Sequence, residues 1–389
     1  MRFSPSLSRS RARGFSVVEL LVSVAIGLLA LVFATRLITG SEQAKTSALG
    51  SSDSMQNGML AMFSISGDAQ QAGFGLNDPI LLGCDTRFTD NEGFVLAEAP
   101  RGSATVKPLA PAIIESGGTG PDRISLYSGS SLSGTGTVRM VGNYIGGTNL
   151  DLDRQPFGFA KGDVVVVAPE NMSGKCALTQ VSDKPTAAPN LDVAGGRGLR
   201  YTSGGLGGNY SGGTTRVFNL GPAASLALHT WSVANGFLQL RATDMAGSGA
   251  APATVADNIV SIKAQYGFDT RTGAAFTPQA GLRVGQWSAT MIDADGDTEA
   301  GGAGDYQHLA ALRIAVVARS KTRERPNAGG ACSATPSQPT VFASAEPFGV
   351  PPAPIKVDVA VTGDGADWRC YRYRVFETIV PLRNALWRP

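Results

Sequence analysis

An uncharged apolar run near the N-terminus dominates the pattern of hydrophobic and polar positions in this 389-residue chain. Residues 20–35 carry no charge, whereas residues 1–14 carry four arginines and no acidic residue. A long apolar segment with positive charge on one side is typical of a single membrane-spanning helix whose basic end stays in the cytoplasm. The pattern predicts a polar leader over residues 1–14 and a transmembrane helix over residues 15–38.

The helix is predicted to continue beyond the membrane. Residues 41–71 contain no proline, and their apolar side chains recur at roughly helical spacing. Gly50, Gly58 and a serine cluster lower the helix propensity and indicate a bent or partly melted section. The sequence Ala72-Gly73-Phe74-Gly75 supplies a glycine stop signal. We therefore predict an amphipathic continuation over residues 39–75 and a head domain over residues 76–389.

The head is predicted to be rich in β-strands and loops. The chain contains 49 glycines and 22 prolines, and β-branched and aromatic residues concentrate in short segments. The strand candidates are residues 123–127, 163–168, 226–233, 237–241, 260–268, 309–319 and 371–380. Two low-complexity segments, 195–213 and 326–354, are predicted to be exposed, mobile loops. The fold class is therefore α+β, with a long N-terminal helix packed on a loop-rich head.

The net charge argues against a nucleic-acid-binding surface. The chain has 33 basic and 31 acidic residues, and without the four arginines of the leader the balance becomes 29 against 31. The run Tyr371-Arg372-Tyr373-Arg374 could stack on nucleic acid, but alternation along a strand explains it equally well. A near-neutral chain favours the structural interpretation, so we expect no nucleic-acid partner.

The four cysteines, Cys84, Cys176, Cys332 and Cys370, are far apart and show no C-x-x-C spacing. This spacing predicts neither a zinc site nor a thioredoxin-like motif. Two disulfides are the expected use in an exported, oxidising location. Four cysteines allow three pairings, and spacing alone does not choose among them.

One acidic loop is a candidate metal site. Asp293, Asp295, Asp297 and Glu299 place carboxylates at alternating positions, which could gather oxygens around calcium, and Asp305 could add another. The glycine and glutamate positions of an EF-hand are not matched, because Gly296 is fourth and Gly304 is twelfth in the loop. A solvated acidic loop is the favoured interpretation, so we expect no cofactor, with calcium as the alternative.

The two histidines, His229 and His308, are too few for a multi-histidine metal site. We expect His229, beside Trp231, to be packed or paired at the surface. No nucleophile elbow or phosphate loop appears in the sequence, so no enzymatic activity is expected.

The stretch Gly14-Phe15-Ser16-Val17-Val18-Glu19 places a cleavable glycine before a retained apolar helix. A secretory signal has the opposite order, with its apolar region before the cleavage site. Glu19 is a lone acid in a membrane helix, which costs roughly 2.5 kcal/mol or more at the centre of a bilayer and is usually retained for function. The alternative is a glutamate near the helix end that reaches water, on an ordinary signal anchor.

This stretch resembles the class III signal of type IV prepilins and type II secretion pseudopilins. The resemblance implies cleavage between Gly14 and Phe15 by a prepilin peptidase and N-methylation of Phe15. It also implies that Glu19 pairs with the N-terminal amine of a neighbouring subunit during filament assembly.

Later segments resemble the PilW-type minor pilins of type IV pili. They are residues 68–74, 159–167, 257–269, 312–320 and 371–384. This resemblance implies a complex with other minor pilins that primes pilus assembly, supports a tip adhesin, and affects twitching motility and attachment. It further implies contacts with the major pilin and the inner-membrane assembly platform, in a Gram-negative bacterium. The head would lie in the periplasm or at the pilus tip.

Pilin-like proteins often pin their C-terminal region with a disulfide, and the resemblance therefore favours Cys332 with Cys370, leaving Cys84 with Cys176. Two alternatives to the minor-pilin interpretation remain. The first is a large pseudopilin of type II secretion, and the second is a membrane-anchored binding module or hydrolase that uses the helix as a tether.

Overall fold

The computed structural model describes residues 16–130, 136–195, 198–202, 204–327 and 329–386. The chain divides into two compact units, Met1–Ser52 and Asp53–Pro389. The predicted leader, residues 1–14, lies outside the described residues. The last part of the long helix belongs to the second unit, together with the head.

The N-terminal helix, α1, spans Val17–Gln71 without interruption. The prediction of a melted section is therefore wrong, and packing explains why. Ser54, Gly58, Ala61 and Ile65 are buried against the head, and this burial outweighs the low propensity of glycine and serine. The helix ends at the predicted stop signal, where Gly73 adopts a φ of 84° that favours glycine.

Val17–Ile38, the first part of α1, is the one segment of the described residues long and apolar enough to cross a membrane. Its mean hydropathy is 2.7, and none of it is buried by the protein. The large apolar side chains of this segment are at least half exposed, as a lipid or protein environment would require.

The described residues of the head form twenty-one short strands and six 3-10 helices. The strands are β1 Cys84–Arg87, β2 Ala99–Arg101, β3 Ala104–Val106, β4 Pro108–Leu109, β5 Ala112–Glu115, β6 Arg123–Ser128, β7 Thr137–Arg139, β8 Asn149–Asp151, β9 Asp163–Pro169, β10 Cys176–Gln180, β11 Asn190–Asp192, β12 Thr215–Pro222, β13 Ala227–Ala234, β14 Phe237–Ala242, β15 Ala253–Asp257, β16 Ile259–Phe268, β17 Gln286–Ser288, β18 Leu309–Arg319, β19 Thr340–Val341, β20 Ile355–Lys356 and β21 Tyr373–Pro381. The 3-10 helices are Ala223–Ser225, Gly273–Ala275, Pro278–Ala280, Asp305–His308, Trp368–Cys370 and Arg383–Leu386.

All seven predicted strands are present, with ends shifted by at most two residues. The Asn235-Gly236 turn joins β13 to β14, and both of its residues have positive φ, 53° and 80°. Such a two-residue turn matches the twist of an antiparallel hairpin. The α+β class predicted from the sequence is confirmed.

Three sheets form the body of the head. Their strand orders are β4-β1-β10-β9-β12-β7, β15-β14-β13-β6-β5 and β17-β16-β18-β21. The pairings are antiparallel except between β1 and β10. Every residue of β16 is buried, as is every residue of β18 except the last. These two strands are the centre of the four-stranded sheet.

The segment 326–354 differs from the predicted exposed loop, because part of it covers this central sheet. Val341 and Phe342 are fully buried and pack with Ala315 and Val317 of β18. Arg313, also buried, donates hydrogen bonds to Ser344, and its guanidinium lies 5.1 Å from the Phe342 ring centre. The segment supplies apolar cover that β18 needs on this face.

The glycine-rich segment 195–213 also departs from the prediction of a fully exposed loop. Among its described residues, Tyr201 and Leu206 are fully buried. Apolar residues scattered among glycines do not produce a periodic pattern, which explains why the sequence did not indicate their burial.

Two disulfides are present, Cys84–Cys176 and Cys332–Cys370. This is the pairing favoured by the family resemblance. The first links the paired strands β1 and β10 of the six-stranded sheet. The second links the segment before β19 to the 3-10 helix before β21, as expected for a proline-rich insertion stapled near the C-terminal strand.

Gly58 is a point of close approach between α1 and β21, because a Cβ built on it lies within 2.8 Å of three Phe376 ring atoms. We predict that Gly58→Ala lowers the free energy of unfolding by about 1–3 kcal/mol through overpacking. Gly67→Ala is the matched control, since nothing lies within 4 Å of a Cβ there. The control should gain about 0.5–1 kcal/mol from helix propensity. Thermal unfolding of the full-length chain in detergent measures both, and equal shifts of the two variants would refute the contact.

Candidate functional site

Glu19 lies in the first turn of α1 with its side chain exposed. Its backbone carbonyl accepts a 2.7 Å hydrogen bond from Ser23 Oγ, a bond within the helix surface. No hydrogen bond to the Glu19 carboxylate occurs among the described residues. In a bilayer such a carboxylate is costly unless it pairs with a cation or reaches water near the helix end. Gly14 and Phe15, the predicted cleavage and methylation residues, lie outside the described residues.

A second polar site joins α1 to the five-stranded sheet. Asp68, in the last turns of the helix, accepts a 2.7 Å hydrogen bond from Trp231 Nε1, and the same oxygen lies 2.8 Å from His229 Nδ1. His229 and Trp231 are two residues apart on β13 and therefore share one face of the strand. The other ring nitrogen of His229 lies 2.8 Å from Asp244. The histidine therefore bridges two carboxylates.

This arrangement favours the protonated histidine. Burial lowers the pKa of His229, but the hydrogen bonds and charges of Asp244 and Asp68 outweigh burial and raise it from 6.5 to about 9. Hydrogen bonding to His229 also lowers the pKa of Asp244. At neutral pH the bridge is thus an ion-paired contact between helix and sheet.

Two asparagines complete the attachment of α1. Asn384 Nδ2 lies 3.1 Å from the carbonyl oxygen of Gln70 and 3.0 Å from that of Gln71, two carbonyls of the last helical turn. Asn57 Nδ2 donates a 2.6 Å bond to Asp257 at the end of β15. Polar contacts therefore hold the part of α1 that belongs to the head near both of its ends.

The sequence analysis anticipated that His229 would be packed or paired, and this is confirmed. It did not anticipate the partners, since Asp68 is 161 residues from His229 and Asn384 is over 310 residues from the helix end. No local spacing signals contacts of this range.

The acidic loop brings three of its four predicted carboxylates together. Oxygens of Asp293, Asp295 and Asp297 lie within 4.8 Å of one another, whereas Glu299 does not join this group. Asp305, the further candidate ligand, does not belong to this group. Its two oxygens accept hydrogen bonds from the backbone N–H groups of residues 294, 295, 301 and 302, so it organises the loop.

The remaining candidate residues have structural partners. His308 is buried, its Nδ1 lies 2.7 Å from the carbonyl oxygen of Asp269, and its ring stacks on Phe276 at 3.7 Å. Tyr371 is 7% exposed and lies under the Arg319 guanidinium. Arg372 pairs with Glu324. The Arg319 guanidinium thus covers a face of Tyr371 that stacking on a base would need.

We predict that the bridge makes stability depend on pH. A pKa raised on folding contributes stability that is complete below about pH 6.5 and is lost as the pH rises through about 9. We expect the loss to be on the order of 2 kcal/mol, allowing for the partial exposure of Asp244. Denaturant unfolding of the full-length protein at pH 6 and pH 9.5 measures this loss in the free energy of unfolding. His229→Gln should remove most of this pH dependence, and an unchanged slope in that variant would contradict the assignment.

The N-terminal segment and part of the head each match a known protein family. Residues 9–35 match the prokaryotic N-terminal methylation motif, and residues 230–384 match the family described as Type IV Pilus-assembly protein W. The second match covers Asp257, β21 and Asn384, which contact α1. No curated protein matches the chain. A prepilin-type N-terminal segment joined to a head that matches this family supports a type IV minor pilin of the PilW type.

Proposed function

We propose that this minor pilin joins other minor pilins in an inner-membrane complex that primes pilus assembly and then remains at the pilus tip. The observation that carries the proposal is the combination of one exposed apolar helix, Val17–Ile38, with a head unit that extends over Asp53–Pro389. The helix supplies a filament-type anchor, and the head supplies a large surface for partners.

Glu19 is the residue on which recruitment depends in this proposal. Its carboxylate is exposed at the start of an apolar segment, where an unpaired charge costs roughly 2.5 kcal/mol or more in a bilayer. The methylated N-terminal amine of a neighbouring pilin is a cation at the matching depth. Pairing the two charges removes the cost and selects a subunit with the same N-terminal processing.

The size of the head supports a position at the tip. A subunit must fit between neighbours above and below it to occupy the shaft, and a large head limits how many copies pack along a filament. A subunit at the end has neighbours on one side. The head then lies in the periplasm before assembly and at the tip afterwards, where it contacts the major pilin below and supports an adhesin.

We further propose that the protein acts without catalysis and without a metal. Asp293, Asp295 and Asp297 accept hydrogen bonds from backbone N–H groups of their own loop, which is sufficient to explain their clustering. His229 bridges two carboxylates, and His308 is buried against Asp269 and Phe276.

The metal-free proposal predicts that calcium has little effect on the head. Addition of 1 mM calcium, about the extracellular range of calcium affinity, should leave the thermal midpoint of the full-length protein unchanged relative to EDTA. Asp295→Ala serves as the comparison. A rise in midpoint with calcium that disappears in Asp295→Ala would establish a metal site and overturn this part of the proposal.

For the assembly role, we predict that Glu19→Ala is processed normally but fails to join the complex. Peptidase recognition precedes assembly, whereas the charge pair forms during it. The amount of other minor pilins that co-purify with the full-length protein from membranes should fall at least about tenfold, because a buried charge pair has lost one partner. Pilus number should fall with it, and tip-specific labelling of the head should disappear.

The N-terminal mass of the wild-type and variant proteins is the control. Both should begin at methylated Phe15 in cells that contain the prepilin peptidase. An intact Met1 would show that the segment is an ordinary anchor. Full function of Glu19→Ala would favour a tethered binding module, and co-purification with secretion pseudopilins would favour the type II secretion machine.

A further inference from the structure

The four-stranded sheet ends in an edge strand that differs from the edges of the other two large sheets. Those edges, together with the opposite edge of this sheet, are strands of two to five residues: β4, β7, β5, β15 and β17. β21 has nine residues. It also keeps nine consecutive pairs with β18 and has no bulge. Natural proteins usually shorten, bend or charge an edge strand, because an open edge pairs with other chains.

The free hydrogen-bonding groups of β21 can be assigned. Ser320 donates to the Arg372 carbonyl, and Leu382 donates to the Ala310 carbonyl, so the even-numbered residues exchange bonds with β18. The odd-numbered residues therefore point their N–H and C=O groups away from the sheet. Val375, Glu377 and Ile379 carry outward N–H groups, and Pro381, which has none, ends the ladder. Among the described residues, no backbone group pairs with this side of β21.

The side chains of β21 are also incompletely covered. Its neighbour β18 is buried at all but one position, whereas β21 has one buried residue, Val380. Val375 is 37% exposed. Burial therefore changes sharply between two adjacent strands. This is the pattern expected of a sheet whose edge lacks a further strand.

An apolar stripe of α1 lies beside this edge. Gly58 contacts the Phe376 ring of β21, and the neighbouring row of the helix consists of Met55, Met59 and Phe63, four residues apart. These three side chains are 43%, 48% and 77% exposed. A partner on the β21 edge would therefore also meet apolar helix surface, and methionine adapts to varied partners.

We propose that β21 is a strand-addition site that accepts an extended strand from a different pilin subunit. This inference rests on the proposed function, because a neighbouring pilin is the chain held beside α1. A second copy of this protein is a poor occupant. If two copies paired through β21 about a two-fold axis at its central residue, Glu377 of one copy would lie opposite Glu377 of the other. Like charges in that position are unfavourable.

The test is a proline at an outward position of the full-length protein. Val375→Pro removes one outward donor and leaves the bonds to β18 intact, since proline is tolerated where the N–H faces away from the sheet. Val375→Thr is the matched control, because it keeps the N–H and the branched side chain. We expect co-purified minor pilins to fall about tenfold in Val375→Pro and to stay within about twofold in Val375→Thr.

Photo-cross-linking from position 375 identifies the occupant. A benzoylphenylalanine there should link, in living cells, to a strand of another chain that has a methylated N-terminus. A link to a second copy of this protein, or to a protein that is not a pilin, would overturn the proposal.

A folding control keeps the test decisive. If Val375→Pro lowers the thermal midpoint, the co-purification test is replaced by residue-resolved hydrogen exchange of the wild-type protein. The amides of Val375, Glu377 and Ile379 should exchange at least about tenfold more slowly in the isolated complex than in the free chain. Equal exchange would refute strand addition.

The two proposals fail in different ways. If Val375→Pro assembles like the wild type while Glu19→Ala does not, strand addition is wrong and the assembly role stands. If the wild-type protein co-purifies with no pilin, both are wrong.

Discussion

The packing of the C-terminal part of α1 against the sheets is the constraint on which the rest of the head depends. Ala61, Ile65 and Ala69 are fully buried on one face of the helix, and burial of this face is what keeps a glycine- and serine-containing segment helical. The polar groups at the same boundary are satisfied by the head itself. Asp68 bonds to His229 and Trp231, and Asn384 bonds to the last carbonyls. Helix and head are therefore one folding unit from Asp53 onward.

A buried basic residue plays the corresponding role on the other face of the four-stranded sheet. Arg313 is 1% exposed, yet its guanidinium is bonded to Ser344 and Glu377 and lies over the Phe342 ring. An unpaired buried charge is strongly destabilising, so the contacts of Arg313 with Ser344 and Phe342 fix the position of the insertion 326–354, which carries these two residues. The insertion and α1 thus cover opposite faces of β18, while the edge at β21 stays open.

The sequence predicted the elements better than their contacts. Strands such as β16 and β18 are continuous runs of β-branched and apolar residues, and the Asn235-Gly236 turn depends only on its own two residues. Both can therefore be recognised from a few consecutive residues of sequence. The prepilin signal is likewise local. The Asp68 bridge, the Asn384 cap and the burial of Phe342 depend on residues brought together over long distances. The glycines gave a misleading signal in α1, because propensity is a weak local preference that packing overrides.

The contact of Asn384 with the helix end also bears on the order of folding. Asn384 is more than 310 residues from the carbonyls of Gln70 and Gln71 that it contacts. Contacts of such long sequence separation form late, because a large loop must close first. The end of α1 therefore acquires this contact only after the strands between the two residues have been synthesised. One side-chain amide thus couples the end of the first helix to the segment that follows β21.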